Sequence, residues 1–196
     1  MIQLKKGTLL YHASYTEIPT IDLDYCKKGL DFGKGFYTTS SHLQAYNYVS
    51  QSIRKHNFQR KPGEPELLVK DGRINVYMFH PTPNLFIHCF DGADINWLHF
   101  VATNRDTDLF PDLLHKLSTA DIIGGKIAND NTRRTIIDYL NGAYGHPGTE
   151  RADQIALELL LPNRLKDQFC FRSKDAVNSL EFVRSERYGD IQQPTD

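Results

Sequence analysis

No apolar run in this 196-residue chain approaches the ~20 residues that cross a bilayer, so no membrane association through a spanning helix is expected. Charge of one sign is lacking too. The 23 Lys and Arg are matched by 24 Asp and Glu, for a formal charge of −1, which argues against coating nucleic acid or anionic membrane through overall charge. Cysteine is scarce and odd in number. Cys26, Cys89 and Cys170 stand far apart in no metal-like spacing, and are expected to be reduced thiols in a cytoplasmic protein. The opening MIQLKKGTLLYHAS has no apolar signal-peptide core and reads as the start of a strand.

Motif absences narrow the chemistry further. The eight histidines form no HExxH and no cluster with Cys or Asp, so no metal is expected. DFGKGF contains G-x-G without the third glycine of the dinucleotide fingerprint. There is no Walker-A lysine motif, and IIGGKIAND reads only as a glycine-rich strand end. There is no G-x-S-x-G. What is present is ordinary globular composition, 40% hydrophobic, 11% aromatic and 24% charged, enough for one well-cored domain and short for two.

Periodicity organises that domain. GTLLYHA (7–13) reads as a buried strand, and residues 15–34 as a long ordered loop carrying Pro19, Gly29 and Gly33. GFYTT is a second strand. Ser40 and Ser41 cap a helix expected over about 41–56. NFQRKPGEPELLVKDG reads as a surface excursion. INVYMFH and NLFIHCF follow as strands, and DINWLHFVATNR as a helix capped by Asp94, with Ile95, Leu98, Val101 and Ala102 at helical spacing. ADIIGGKIA is a strand; NDNTRRTIIDYLNGAYG and ADQIALELLL are helices, the latter stopped by Pro162. DQFCF and LEFVRSER close the chain as strands around a helical turn, SKDAVNS. A single α+β domain over residues 1–188 is expected, with a flexible tail at 189–196. The order departs from the regular βαβ alternation of doubly wound folds.

The helix after GFYTT poses a puzzle. At 100° per residue, Leu43, Tyr46, Val49 and Ile53 share one face, and Tyr48 lies opposite. Core packing explains Tyr46. Tyr48 needs another reason, either covering a surface loop or forming a wall for a ligand.

LYHAS and GFYTTSSHLQAYNY, with Tyr37 and Tyr48 eleven apart, resemble two motifs of the ADP-ribosyltransferase superfamily, on its His–Tyr–acid branch. More closely, YHASYTEIPTIDL, DFGKGFYTT, IANDNTRRTI and KDQFCF look like a bacterial domain-of-unknown-function family of ADP-ribosyltransferase-like proteins, over residues 8 to about 183. The resemblance implies a split two-sheet β-sandwich with flanking helices and NAD as co-substrate in the cleft. It implies that His12 binds the adenosine ribose and that the Ala13 backbone, where the family usually has Gly, clamps the nicotinamide amide. Ser14, Gly35 and Phe36 complete the cofactor-binding set. Tyr37 and Tyr48 would sandwich the nicotinamide, a planar cation suited to stacking between aromatic faces.

The third motif departs from the pattern. Active relatives carry a Glu that holds the nicotinamide-ribose hydroxyl and opposes the charge developing on the ribose. Here that place falls on Gln168, which can hydrogen-bond but supplies no charge, with Asp167 alternating to the other strand face. Asp130 is a second candidate for the charge, or a helix cap. Arg105, Arg133 and Arg134 could meet the pyrophosphate or face solvent. SIRKHNFQRK, with Phe58 among its charges, could touch a nucleic-acid or acidic target or be a solvated helix end.

The expected activity is therefore cleavage of NAD at the nicotinamide–ribose bond with transfer of ADP-ribose to a macromolecular acceptor, protein or nucleic acid. By resemblance, a toxin role with an antitoxin partner is also expected. The rival expectations are a catalytically inactive module binding NAD, ADP-ribose or a protein, and an NAD-dependent RNA 2′-phosphotransferase. Gln168 favours the inactive module. No basic phosphate pocket supporting the phosphotransferase is identifiable in the sequence.

Overall fold

The computed structural model describes residues 4–59, 68–106, 109–127, 130–160 and 165–191, apart from the side chains of Asp130 and Asn131. Among the described residues, seven strands form two sheets. The first runs β1 (Leu9–Ser14), β3 (Arg73–Phe79), β7 (Leu180–Arg187), all antiparallel. The second runs β2 (Phe36–Thr38), β6 (Asp167–Phe171), β5 (Ile122–Lys126), β4 (Ile87–Cys89), with only β4 and β5 parallel. Six helices among the described residues complete the α+β domain: α1 (His42–Phe58), α2 (Ile95–Arg105), α3 (Pro111–Lys116), α4 (Asp130–Leu140), α5 (Glu150–Leu160) and α6 (Lys174–Asn178). No described helix is long and apolar enough to cross a membrane.

Alternation along the strands builds the core. Leu10, Tyr77 and Phe79 of the first sheet face Phe36, Ile122, Phe169 and Phe171 of the second, and the side chains of this inter-sheet layer are almost wholly buried. Each such large side chain contributes about 1.5–3 kcal/mol. The opposite face of β6 and β2 carries Cys170 and Tyr37, which belong to a second apolar layer under α2, α4 and α5 with Phe32, Trp97, Phe100 and Ile136. The outer face of β1 carries Tyr11 and Ala13, packed with Ala45, Val49 and Ile53 of α1. The layers thus run α1, first sheet, second sheet, then α2 to α5, while α6 puts Ala176 and Val177 into the inter-sheet layer.

Local chemistry explains the helices. Ser41 Oγ accepts from Gln44 N–H (3.2 Å) and Asp94 Oδ1 from Trp97 N–H (2.8 Å), so of the two serines expected to cap α1 it is Ser41 that does so, and Asp94 caps α2 as expected. No Gly or Pro interrupts 42–58, and α1 runs two residues further than its periodicity suggests. In α2 the expected Ile95 is exposed, while Trp97, Phe100 and Thr103 join Leu98, Val101 and Ala102 in the interior. This helix is covered almost all round, so a single-face stripe misjudges it. The short α3, opened by Pro111 at its first turn, was not expected from the pattern. At the other end, Tyr188–Asp190 make a 3-10 turn in which Tyr188 lies against Tyr46 and Gly189 N–H donates to Asp71.

The two sheets touch along the edges of β1 and β2. Tyr11 and Thr39 exchange both backbone hydrogen bonds (2.9 and 3.0 Å). This seam positions the candidate site.

Candidate functional site

The segment DFGKGFY, residues 31–37, is the most constrained turn at the seam. Phe32 is fully buried. Gly33 takes φ +83, and a Cβ there would also meet Asn104 Oδ1 at 2.9 Å. The Tyr37 hydroxyl closes the loop, accepting from Phe32 N–H (2.9 Å) and donating to the Gly33 carbonyl (2.8 Å). Burial pushes its pKa far up, so the phenol stays neutral. Gly35 lies against β6, where a Cβ would come within 2.5 Å of Cys170 Sγ and 2.7 Å of the Phe171 carbonyl. Its glycine is therefore explained by close strand approach.

Beside this turn lies a polar group that the sequence reading did not assemble. Asp31 is only 8% exposed. Its Oδ1 accepts from Arg105 (2.5 Å) and its Oδ2 from Gln168 Nε2 (3.1 Å). Gln168 Nε2 also lies 3.5 Å from the Lys126 carbonyl. Carboxylate and carbonyl can only accept, so the amide nitrogen must face them and Oε1 is the end left over. Among the described residues, that oxygen takes no hydrogen bond. Asp167 alternates away, as expected, and pairs with Lys126 (2.7 Å).

His12 sits on the other side of the seam. Its ring stacks on Phe36 (centroids 4.4 Å apart, 28° between planes), and Nδ1 lies 2.7 Å from the Tyr37 carbonyl. That carbonyl can only accept, so Nδ1 carries the hydrogen. Burial holds the ring's pKa below its usual 6.5 against the upward pull of the same bond. The neutral ring therefore presents Nε2 as an acceptor, and it too takes no hydrogen bond among the described residues. Thr38 Oγ1, on the same strand face as Phe36, is buried without a hydrogen-bond partner among the described residues.

The remaining expected residues divide. Ala13 packs toward α1. Ser14 is buried and its Oγ accepts from Thr16 N–H (3.2 Å). Tyr48 stands on the outer side of α1, 40% exposed, with Lys55 Nζ donating to its hydroxyl (2.7 Å) and lying 4.9 Å from the ring centroid. Tyr37 and Tyr48 are thus held by different partners, one from its own loop and one from its own helix. Asp130 opens α4, but its side chain lies outside the described residues. Of the three arginines, Arg105 is committed to Asp31, while Arg133 is exposed and Arg134 reaches Asp138 at 3.7 Å. In the basic strip Phe58 is 90% exposed and His56 stacks on Tyr15 at 3.7 Å. Arg60 and Lys61 of that strip, and Pro162 after α5, lie outside the described residues.

Two open hollows lie elsewhere. One of about 340 Å³ is lined by Asn96, His99, Phe110, Asp112 and neighbours. The other, about 280 Å³, is lined by Tyr15, Glu17, Asp71, Arg73, Arg187 and neighbours. Among the described residues, no group of three or more His, Cys, Asp and Glu is placed to hold a metal.

Asp31 and Arg105 are the residues that sequence reasoning missed as a unit. A signal existed for Asp31, a carboxylate directly before a buried aromatic in a glycine turn. Its partners arrive from 74 and 137 residues away, which no local pattern reveals.

The chain belongs to the family described as "Protein of unknown function (DUF3990)", whose model matches residues 8–182. No curated protein and no solved structure matches it.

Proposed function

We propose that this chain binds NAD at the β1–β2–β6 seam, cleaves the nicotinamide–ribose bond and transfers ADP-ribose to a macromolecular acceptor. The motif resemblance to ADP-ribosyltransferases suggests the chemistry. One observation carries it: at the seam, two acceptor atoms are fixed in orientation and take no hydrogen bond from the described residues, His12 Nε2 and Gln168 Oε1. Groups that only accept call for a ligand that donates. NAD offers a pair of hydroxyl donors on each of its two riboses. The two acceptors are joined through the protein by His12 to the Tyr37 carbonyl, the Tyr37 hydroxyl to Phe32, and Asp31 to Gln168. They are therefore held as one preorganised unit.

In this reading His12 Nε2 accepts from the adenosine ribose and Gln168 Oε1 from the nicotinamide ribose. Tyr37 acts chiefly by fixing the turn between them, and its ring face and that of Tyr48 are the aromatic surfaces offered to the nicotinamide. The carbon–nitrogen bond breaks with its electron pair going to nicotinamide, and the protein's task is to stabilise positive charge on the ribose.

A second reading has its own observation. Gln168 is an amide where charge is needed, which suits a module that binds NAD or ADP-ribose without cleaving it. Incubating the purified protein with NAD and following free nicotinamide and ADP-ribose adducts by mass spectrometry separates the two. Nicotinamide release by the wild type, reduced in His12→Ala together with weaker NAD binding, is the transferase outcome. Binding without release is the module outcome, and neither removes NAD from the account.

A further inference from the structure

Resting on the NAD reading, we infer that Asp31 is the positioning acid of this site, setting the Gln168 amide and supplying the negative charge that glutamine lacks. Its backbone has little freedom, because the next two residues are locked by Phe32 burial, the Gly33 conformation and both hydrogen bonds of the Tyr37 hydroxyl. Its carboxylate does two jobs at once, meeting Arg105 at 2.5 Å and Gln168 Nε2 at 3.1 Å. An ion pair that served folding alone would need only the arginine.

The geometry assigns the division of labour. Oδ2 draws the amide nitrogen inward, so Oε1 turns outward as the acceptor for a ribose hydroxyl. The carboxylate charge, one amide away, raises the electron density on that oxygen and opposes the positive charge developing at the ribose carbon. Arg105 balances the carboxylate in the resting protein, which lets a charge persist at 8% exposure. In the step itself, the ribose C1′–nitrogen bond of NAD breaks and its electron pair passes to the nicotinamide nitrogen. An oxygen of water, or of the acceptor, then bonds to C1′ and gives its proton to solvent. Asp31 and Gln168 end the cycle as they began, with no proton gained or lost.

Asp31→Asn tests the assignment. The asparagine can meet Gln168 either way round, so the amide is no longer held with Oε1 outward, and the charge is gone. Nicotinamide release should fall roughly ten- to hundred-fold, the scale of one lost hydrogen bond at a reacting centre, with the fall in kcat and not in KM for NAD. A merely structural ion pair gives a different signature. The double variant Asp31→Asn with Arg105→Gln removes the stranded cation, so its Tm should recover toward wild type while its kcat stays low. If Tm and kcat recover together, or if Asp31→Asn cleaves NAD like an active wild type, the assignment is overturned and the NAD reading stands. If the wild type itself releases no nicotinamide, cleavage falls, and this assignment with it.

Discussion

Two buried polar clusters flank α2, and they differ in what they leave unanswered. At the seam, Asp31, Gln168 and Arg105 end in an amide oxygen that takes no hydrogen bond from the described residues. Under the other side of α2, Asp153 accepts from His99 Nε2 (2.8 Å) and from the Tyr139 hydroxyl (2.5 Å), and that hydroxyl in turn accepts from Gly148 N–H (2.8 Å). The His99 ring is further covered by Phe110, stacked at 4.0 Å. The Asp153 cluster answers its own carboxylate and phenol and ties α2, α4 and α5 together. The seam cluster is somewhat less buried, and among the described residues its amide oxygen is left as an open end. A network that closes on itself reads as scaffold, and a rigid one that ends in an oriented acceptor reads as a place for a ligand.

The comparison breaks most visibly at Asp153. Asp153→Ala strands His99 and Tyr139 and should cost about 3 kcal/mol or more in urea unfolding, while NAD turnover per folded molecule stays unchanged. A loss of turnover without a loss of stability would reverse the two assignments. Gly35→Ala should cost about 1–3 kcal/mol, since its new methyl collides with Cys170 and the Phe171 backbone. NAD affinity should fall with it, because the same collision displaces the Tyr37 turn.

Gln168→Ala sharpens the contrast in the other direction. It should cost only about 1 kcal/mol of stability, yet nicotinamide release should drop roughly ten- to hundred-fold. Tyr48→Ala, at an exposed position, should leave folding intact and weaken NAD binding by about 1 kcal/mol if its ring face is used.

The smallest effect is in pH. Burial holds the His12 pKa below its ordinary value, and His88 shares the direction, from burial and then Lys116. The unfolded chain takes up these protons as pH falls through about 6.5, and the folded protein does so only lower. Stability should therefore be full above that pH and decline below it. His12→Gln should flatten part of the decline in a series of thermal melts. An unchanged slope would mean that His12 is no more protected folded than unfolded.

Much of this contrast was legible in advance, and the illegible part has a physical cause. Helix α1, its Ser41 cap and the separation of Tyr46 from Tyr48 follow from a 3.6-residue period, and the structure has all three. Period 2 on DQFCF correctly set Gln168 and Asp167 on opposite faces. Local patterns could not show that Asp31 would meet Gln168, because the contact is made by chain segments 137 residues apart. The same blindness applied to Arg105, whose type suggests solvent or phosphate but whose partner is a buried carboxylate. Tyr37 was expected as a ligand wall from its spacing to Tyr48. Its hydroxyl proves to close the 31–37 turn, a role that depends on the Gly33 conformation.

Hydrogen–deuterium exchange with and without NAD tests the central claim most directly, because it reports both clusters in one experiment. NAD should slow exchange across residues 11–14, 31–38 and around Gln168, and leave the amides of 146–156 unchanged. Protection confined to the Asp153 side of α2, or no protection at the seam at saturating NAD, would contradict it.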